Sequence, residues 1–356
     1  MQTDRGATQY LTRVRAELRA GTFGKKEAEN DERDVPTLAV FTETFIETYA
    51  KTNNEESTVR EKQRTLRRAI LPLLGHLRLD QITTREVESY KAKRLATKTR
   101  KGKPPAAKTI NEELAILGKL LGVAHEWEVI ERVPRIKRLK SQAPGFDFLD
   151  DDETQRVITA AVKESSPWCA MVPVALLTGL RLGELRGLKW DDVDLVAGRL
   201  HVRRSADDRG KLKSPKNGRS RIVDLPRRAV DVLRRHKHLR GPFVFCLDDG
   251  SMLQNWHCDP RKRRGDTGPL PRICRRAGLR CVGWHVLRHS YASRLMARGA
   301  KPIEVRDLLG HSSLNMTNRY AHLAPSSRRA AVALLDEPEV GQFLVKSEEG
   351  ETRTRS

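Results

Sequence analysis

Trp284-His285-Val286-Leu287-Arg288-His289-Ser290-Tyr291-Ala292-Ser293-Arg294-Leu295-Met296-Ala297-Arg298-Gly299 is the stretch on which the reading of this chain turns. It reads as a helix stopped by Gly299, because glycine most readily closes a helix C-terminus. Arg288 follows His285 by three positions, which sets both side chains on neighbouring parts of one helical face. The pair can therefore converge on one anion. Beyond it, Pro302 to Leu309 reads as a helix closed by Gly310, with His311 next, and a polar segment Asn315-Met316-Thr317-Asn318-Arg319 leads to Tyr320.

Toward the N-terminus, Leu200 to Arg203 and Arg221 to Leu225 read as short strands. Asn217-Gly218 between them is the strongest hairpin-turn signal in the chain, with Lys216 at its tip. Earlier still, Thr178-Gly179 turns into a helix bearing Arg181, where backbone amides and a guanidinium can meet a phosphate together. Arginine offers two parallel donors to two phosphate oxygens and stays charged at any working pH. Two of them can neutralise a five-coordinate phosphorus, a task metal ions perform elsewhere. Taken singly, each of these residues has an ordinary explanation: a solvated arginine, a satisfied histidine, an exposed turn lysine. Their co-occurrence in one order is what points to chemistry.

The chain has five tyrosines, of which only Tyr291 and Tyr320 fall in the C-terminal half. Tyr291 shares a helix with Arg288, a place where an aromatic packs into a core. Tyr320 follows a polar segment, where a phenol can stay mobile and reach out. A free phenol has a pKa near 10, so attack needs a base and cationic neighbours. His285 is the expected proton acceptor, and His311 can hydrogen-bond the phosphate.

Composition agrees. The 356 residues include 68 Lys plus Arg against 46 Asp plus Glu, a net charge of +22, which calls for a polyanionic partner and first of all nucleic acid. No apolar run approaches the roughly 18 residues of a membrane span, and Met1 to Arg5 lacks a signal-peptide pattern. The five cysteines are scattered, which fits a reducing cytosol. The spacing of His257, Cys258, Cys274 and Cys281 matches no zinc pattern, so no metal site is expected.

The expected organisation is a flexible arm over residues 1–35, a helical domain over 36–137, an interdomain linker over 138–149, a second domain over 150–335 and a C-terminal tail over 336–356. Leu38, Phe41 and Phe45, then Ile110, Leu114, Leu117 and Leu121, recur at helical spacing. Thr58 with Glu61 and Thr83 with Glu86 carry capping-box spacing and mark helix starts. Seven basic residues crowd one stretch without an acidic one: Lys91, Lys93, Arg94, Lys98, Arg100, Lys101 and Lys103. Like charges so close call for a counter-anion, and phosphate contact is expected there.

These residues carry a resemblance. Residues 150 to about 325 resemble the catalytic domain of the tyrosine recombinases, the phage integrase family, through Leu177-Thr178-Gly179-Leu180-Arg181-Leu182-Gly183-Glu184-Leu185, Ser214-Pro215-Lys216-Asn217-Gly218-Arg219-Ser220-Arg221, His285-Val286-Leu287-Arg288-His289, Leu308-Leu309-Gly310-His311-Ser312 and Arg319-Tyr320-Ala321-His322. The resemblance implies Arg181 and Arg288 as the phosphate clamp, Lys216 as general acid and His285 as the acid/base residue. It makes His311 a phosphate donor and Tyr320 the nucleophile, with Glu184 and His289 in support.

It also implies a mainly α fold with a small β-sheet in the catalytic domain (α+β), and an all-α core-binding domain completing a C-shaped clamp on DNA. The implied activity is site-specific strand exchange through a 3′-phosphotyrosyl link, integrating or excising a mobile element without cofactor or metal. Four protomers, monomeric when free, would assemble on double-stranded attachment sites in the cytoplasm at the nucleoid, helped by an accessory bending or excision factor. The residues by themselves leave open a non-catalytic DNA-binding protein, a type IB topoisomerase and a metal-dependent nuclease.

Overall fold

The structure, a computed structural model, describes residues 35–99, 102–141, 147–214, 220–258, 268–324 and 332. The expected arm, the hairpin tip with Lys216 and the C-terminal tail fall outside these residues. The chain divides into two units between Ala143 and Pro144.

The first unit is helical. Helix α1, Leu38–Thr44, runs on through a π-helical stretch, Phe45–Ala50, and Lys51–Asn53; α2, Glu56–Thr65, continues likewise through Leu66–Ile70 and Leu71–Leu74; α3 is Thr84–Ala96 and α4 is Ala107–Glu126. The apolar stripes close on one core, with Leu38, Phe45, Leu66, Ile70, Leu114 and Leu117 fully buried. Thr83 and Glu86 make the expected capping box, the Glu86 carboxylate accepting from the Thr83 amide at 3.2 Å. Thr58 does not cap. Its amide donates to the Glu55 carbonyl at 2.8 Å, so α2 begins one turn earlier, and Glu61 pairs with Arg64 instead.

The stretch expected as linker is partly claimed by this unit. Leu139 exchanges two hydrogen bonds with the Asn111 side chain, at 2.8 and 3.0 Å, and packs with Ile136 against the helical core.

Early in the second unit, Leu149 donates from its amide to Ser290 Oγ at 2.8 Å. Asp150 then caps α5, Asp151–Val162, accepting from the Glu153 amide at 2.8 Å. Helix α6, Trp168–Thr178, is apolar on every side and accordingly central. A short helix α7, Leu182–Gly187, leads into strands β1, Val193–Asp194, β2, Arg199–Val202, β3, Ser205–Ala206, β4, Leu212–Lys213, and β5, Arg221–Asp224. The rest is helical: α8, Arg227–His236; α9, Asn255–Cys258; α10, Pro269–Arg276; α11, Trp284–Ala297; α12, Pro302–Leu309; and α13, Leu314–Asn318, before a 3-10 turn, Ala321–Leu323. Helices α5, α8 and α11 pack around α6.

The sheet is antiparallel in the order β1-β2-β5, with Leu200 opposite Val223. The pairing of the two expected strands is therefore present, but a second ribbon, β3 with β4, is inserted between them. That ribbon turns at Asp207 to Gly210, where Gly210 has φ +84° and its amide donates to the Asp207 carbonyl at 3.0 Å. A mainly helical α+β chain with small antiparallel sheets is what the sequence led us to expect. Among the described residues no helix is long and apolar enough to cross a membrane.

Candidate active site

Glu184, in the first turn of α7, is the hub. Its side chain is 1% exposed and accepts from the Arg181 amide at 2.8 Å and Arg181 Nη1 at 2.9 Å. From β5, Arg221 reaches it with Nη1 and Nη2 at 2.9 and 2.8 Å, a fork-to-fork pair. Burial alone would raise the Glu184 carboxyl, but the hydrogen bonds and charge of Arg221, then the charge of Arg181, override it and draw the pKa down to about 2.

Three guanidiniums then take three consecutive carbonyls at the end of α12. Arg221 Nε donates to Leu308 O at 3.0 Å, Arg288 Nη2 to Leu309 O at 2.6 Å, and Arg181 Nη2 to Gly310 O at 3.1 Å. Helices end with unsatisfied carbonyls, and cations suit that end of the dipole. Arg288 also donates through Nη1 to Gly179 O at 2.7 Å. Gly179 and Gly310 both close helices at positive φ, +64° and +63°. A Cβ at Gly179 would stand 2.4 Å from Tyr291 Cδ1 and 2.9 Å from Leu309 Cδ2, so only glycine brings that carbonyl to Arg288.

The cluster holds three cations against one carboxylate. Burial, then the charge of Arg181, lowers the Arg288 guanidinium to about 9, still cationic at neutral pH. An anion placed here would relieve that repulsion.

His311 follows Gly310, its Nδ1 2.9 Å from Thr317 Oγ1. Burial, then the charges of Arg288 and Arg181, pushes its imidazole to about 3, so it is neutral at pH 7.

Tyr320 is not the mobile phenol expected from its polar approach. It is 1% exposed, packed with Ala292, Met296, Val305 and Leu309. Burial of an aromatic ring among apolar side chains is worth about 1.5–3 kcal/mol, which outweighs the pull of the polar residues before it. Its hydroxyl lies 2.5 Å from Nδ1 of His289. Burial raises its pKa, with the charges of Arg319 and Arg288 opposing. The imidazole on the phenol is thus the one expected only in support. His285, one turn earlier on α11, is exposed, its ring 5.4 Å from that of His289. Tyr291 packs beside the same cluster, as expected of an aromatic on that helix.

Of the basic stretch in the first unit, Lys93, Lys98 and Lys103 are exposed, whereas Arg100 and Lys101 lie outside the described residues. Two members are used internally instead of facing a counter-anion in solvent. Lys91 is buried, its Nζ donating to Glu88 at 2.6 Å and to Lys137 O at 3.0 Å. Arg94 forks onto buried Glu113 at 2.6 and 2.9 Å, where Tyr90 also donates at 2.7 Å. Buried carboxylates and amines need partners, and the nearest opposite groups supply them. Sequence reasoning gave no role to Arg221. It stood inside a quoted motif, but a short strand carries no spacing rule that would have aimed it at Glu184.

A mainly helical chain whose second unit sets three arginines on the end of α12, next to His311, with a buried tyrosine held by a histidine of α11, has the architecture of the tyrosine recombinases. The chain belongs to the phage integrase family, a family of DNA recombinases. The family's profile matches residues 147–327, and that of the phage integrase N-terminal SAM-like domain matches residues 37–103. The chain is similar to the shufflon-specific DNA recombinase of Escherichia coli, at 30% identity over 251 residues, 69% of this chain and 59% of that protein. The chain therefore spans less than two thirds of that relative's length. In fold it is similar to the Tn1549 transposon integrase solved with a circular intermediate DNA, with a TM-score of 0.69 at 19% identity over 84% of this chain and 99% of that one. It is likewise similar to lambda integrase, solved as a tetramer bound to a Holliday junction, with a TM-score of 0.61 at 20% identity over 90% and 87% of the two chains.

Proposed function

We propose that this protein is a site-specific recombinase that cuts and rejoins double-stranded DNA through a 3′-phosphotyrosyl link at Tyr320. The observation that carries the reading is the excess of cations at the end of α12: Arg181 and Arg288 hold consecutive carbonyls beside His311, with one carboxylate to balance three guanidiniums. A scissile phosphate supplies the missing negative charge.

Arg181 and Arg288 clamp the phosphate and stabilise its five-coordinate state, and His311 donates a hydrogen bond to it. The phenolic oxygen of Tyr320 forms the new bond to phosphorus as the bond to the 5′ oxygen breaks. Lys216 gives that oxygen its proton, and His285 is the acid/base residue. Glu184 and His289 support the arginines and the phenol. A 5′-hydroxyl from the partner duplex reverses the step, so the bond energy is conserved and neither a nucleotide nor a metal is needed.

The helical unit binds the core of the attachment site, with Lys93, Lys98 and Lys103 on phosphates. Exchange takes place in a homotetramer on DNA, assembled from monomers with an accessory bending or excision factor, and serves to integrate or excise a mobile element. The experiment is covalent trapping on a nicked attachment-site duplex recovered from the ends of the element that carries the gene. Wild-type protein forms an adduct in the presence of chelator. Tyr320→Phe binds the same duplex and forms none; an adduct from that variant overturns the reading.

A further inference from the structure

The Tyr320 hydroxyl lies within hydrogen-bond distance of His289, and the function above leaves that contact with no chemical part. The contact is O to Nδ1 at 2.5 Å, at the short end for a hydrogen bond, and the two rings lie 5.9 Å apart at 50°. With the ring proton on Nε2, Nδ1 carries a free lone pair and accepts from the phenol; that tautomer is the one the proposal uses. His289 is held neutral by its surroundings: burial first, then the charges of His285, Arg319 and Arg288.

We propose that His289, in place of His285, is the base for Tyr320, taking the phenol's proton on Nδ1 as the phenolic oxygen bonds to phosphorus. The proposal rests on the reading of Tyr320 as nucleophile and deepens it.

The step balances without a further reactant. The O–H bond of Tyr320 breaks, its electron pair forms the bond to phosphorus, and the proton makes an imidazolium of His289. The 5′ oxygen leaves with the electrons of the broken P–O bond. An incoming phosphate brings negative charge beside Arg288, which offsets the repulsion that disfavours an imidazolium at this place. In the return step the imidazolium gives the proton back to the departing phenolic oxygen.

The ordinary alternative is that a buried hydroxyl simply requires a partner, and His289 supplies one. Amide side chains separate the two, since they accept a hydrogen bond but cannot take a proton. His289→Asn places its Oδ1 near the position of Nδ1, and His289→Gln is a second, longer replacement. Adduct formation is measured in a single turnover on the nicked duplex, beside DNA affinity and thermal melting. If His289 is the base, both variants melt and bind as wild-type does and form adduct about a hundredfold more slowly, the usual scale for losing a general base.

Installing 3,5-difluorotyrosine at position 320, a more acidic phenol, then restores much of the rate to the Asn variant while changing wild-type little. Adduct formation by either folded variant within about threefold of wild-type, far short of a base's contribution, overturns the proposal, as does a faster reaction. Should both variants unfold, the difluorotyrosine protein with His289 intact decides. A rate that rises in step with phenol acidity means that no base shares the proton, which also overturns it. An adduct from Tyr320→Phe would instead sink the underlying function and is read separately.

Discussion

Arg221 and Glu184 meet fork to fork, both guanidinium Nη atoms on both carboxylate oxygens at 2.8 and 2.9 Å, with the glutamate wholly inside the protein. Arg221 has no place in the proposed chemistry, yet it neutralises the carboxylate that orients Arg181 and holds Leu308 O two residues ahead of Gly310. Removing one partner of such a pair leaves a buried charge uncompensated, at a cost of roughly 3–5 kcal/mol. Arg221→Gln should therefore lower the melting temperature clearly. It should slow adduct formation more than it weakens DNA binding. Arg221→Lys keeps the charge but not the fork, and it should recover only part of either loss.

Gly179 makes a second, independent test of the same assembly. An alanine there is strained at φ +64° and meets Tyr291 at 2.4 Å, so the carbonyl that receives Arg288 must move. The left-handed conformation alone costs about 1–2 kcal/mol. Gly179→Ala should be destabilised by more than that, measured by denaturant unfolding, and should cleave poorly even where it remains folded. Gly299→Ala is the control. It too has positive φ, +87°, but its Cβ would meet nothing within 4 Å. It should pay the backbone cost and keep its cleavage rate.

Much of this arrangement was legible before any coordinates. Helical periodicity marked α1 and α4, the Thr83 cap fixed a helix start, and the order of Arg181, Arg288, His311 and Tyr320 named the cluster. These are local signals: a spacing, a cap or a motif belongs to a few consecutive residues. What stayed hidden depends on which distant element arrives. Arg221 is 37 positions from Glu184, and His289 is 31 from Tyr320. Arg94 finds Glu113 across two helices. The polar neighbours of Tyr320 were read as exposure because linear context says nothing about a ring covered from α11 and α12. The ribbon β3–β4 was invisible because two-residue strands carry no periodicity.

The basic stretch of the first unit separates into two kinds of residue, and salt dependence should tell them apart. Neutralising one DNA phosphate per side chain, Lys93→Gln, Lys98→Gln and Lys103→Gln should each reduce the slope of log affinity against log salt by about one. Their melting temperatures should hardly change. Arg94→Gln should do the reverse. Its carboxylate partner Glu113 has a side chain only 5% exposed, so the loss appears as a destabilised first unit of roughly 3 kcal/mol or more, with little change in slope.

Acid should unfold the second unit in two stages of known sign. His311, His236 and His289 have folded values of about 3, 4 and 4, each below the ordinary 6.5, with burial the leading cause. The unfolded chain therefore takes up these protons first, and stability falls as pH drops below about 6.5 toward 4. Glu184 acts lower down. Its folded value of about 2 lies under the ordinary 4.5, so its contribution is complete above 4.5 and is lost as pH falls toward 2. A shift of that size corresponds to about 3 kcal/mol. Unfolding measured by chemical denaturation from pH 8 to 3 should show the first decline in wild-type and still show it in Glu184→Gln. The variant should be less stable throughout and should decline less steeply below pH 4.5, where only the buried histidines still add to the slope. A Glu184→Gln protein that kept the lower decline unchanged would mean that the carboxylate is not held ionised by Arg221 and Arg181. The cation cluster would then lack the counter-charge that assembles it.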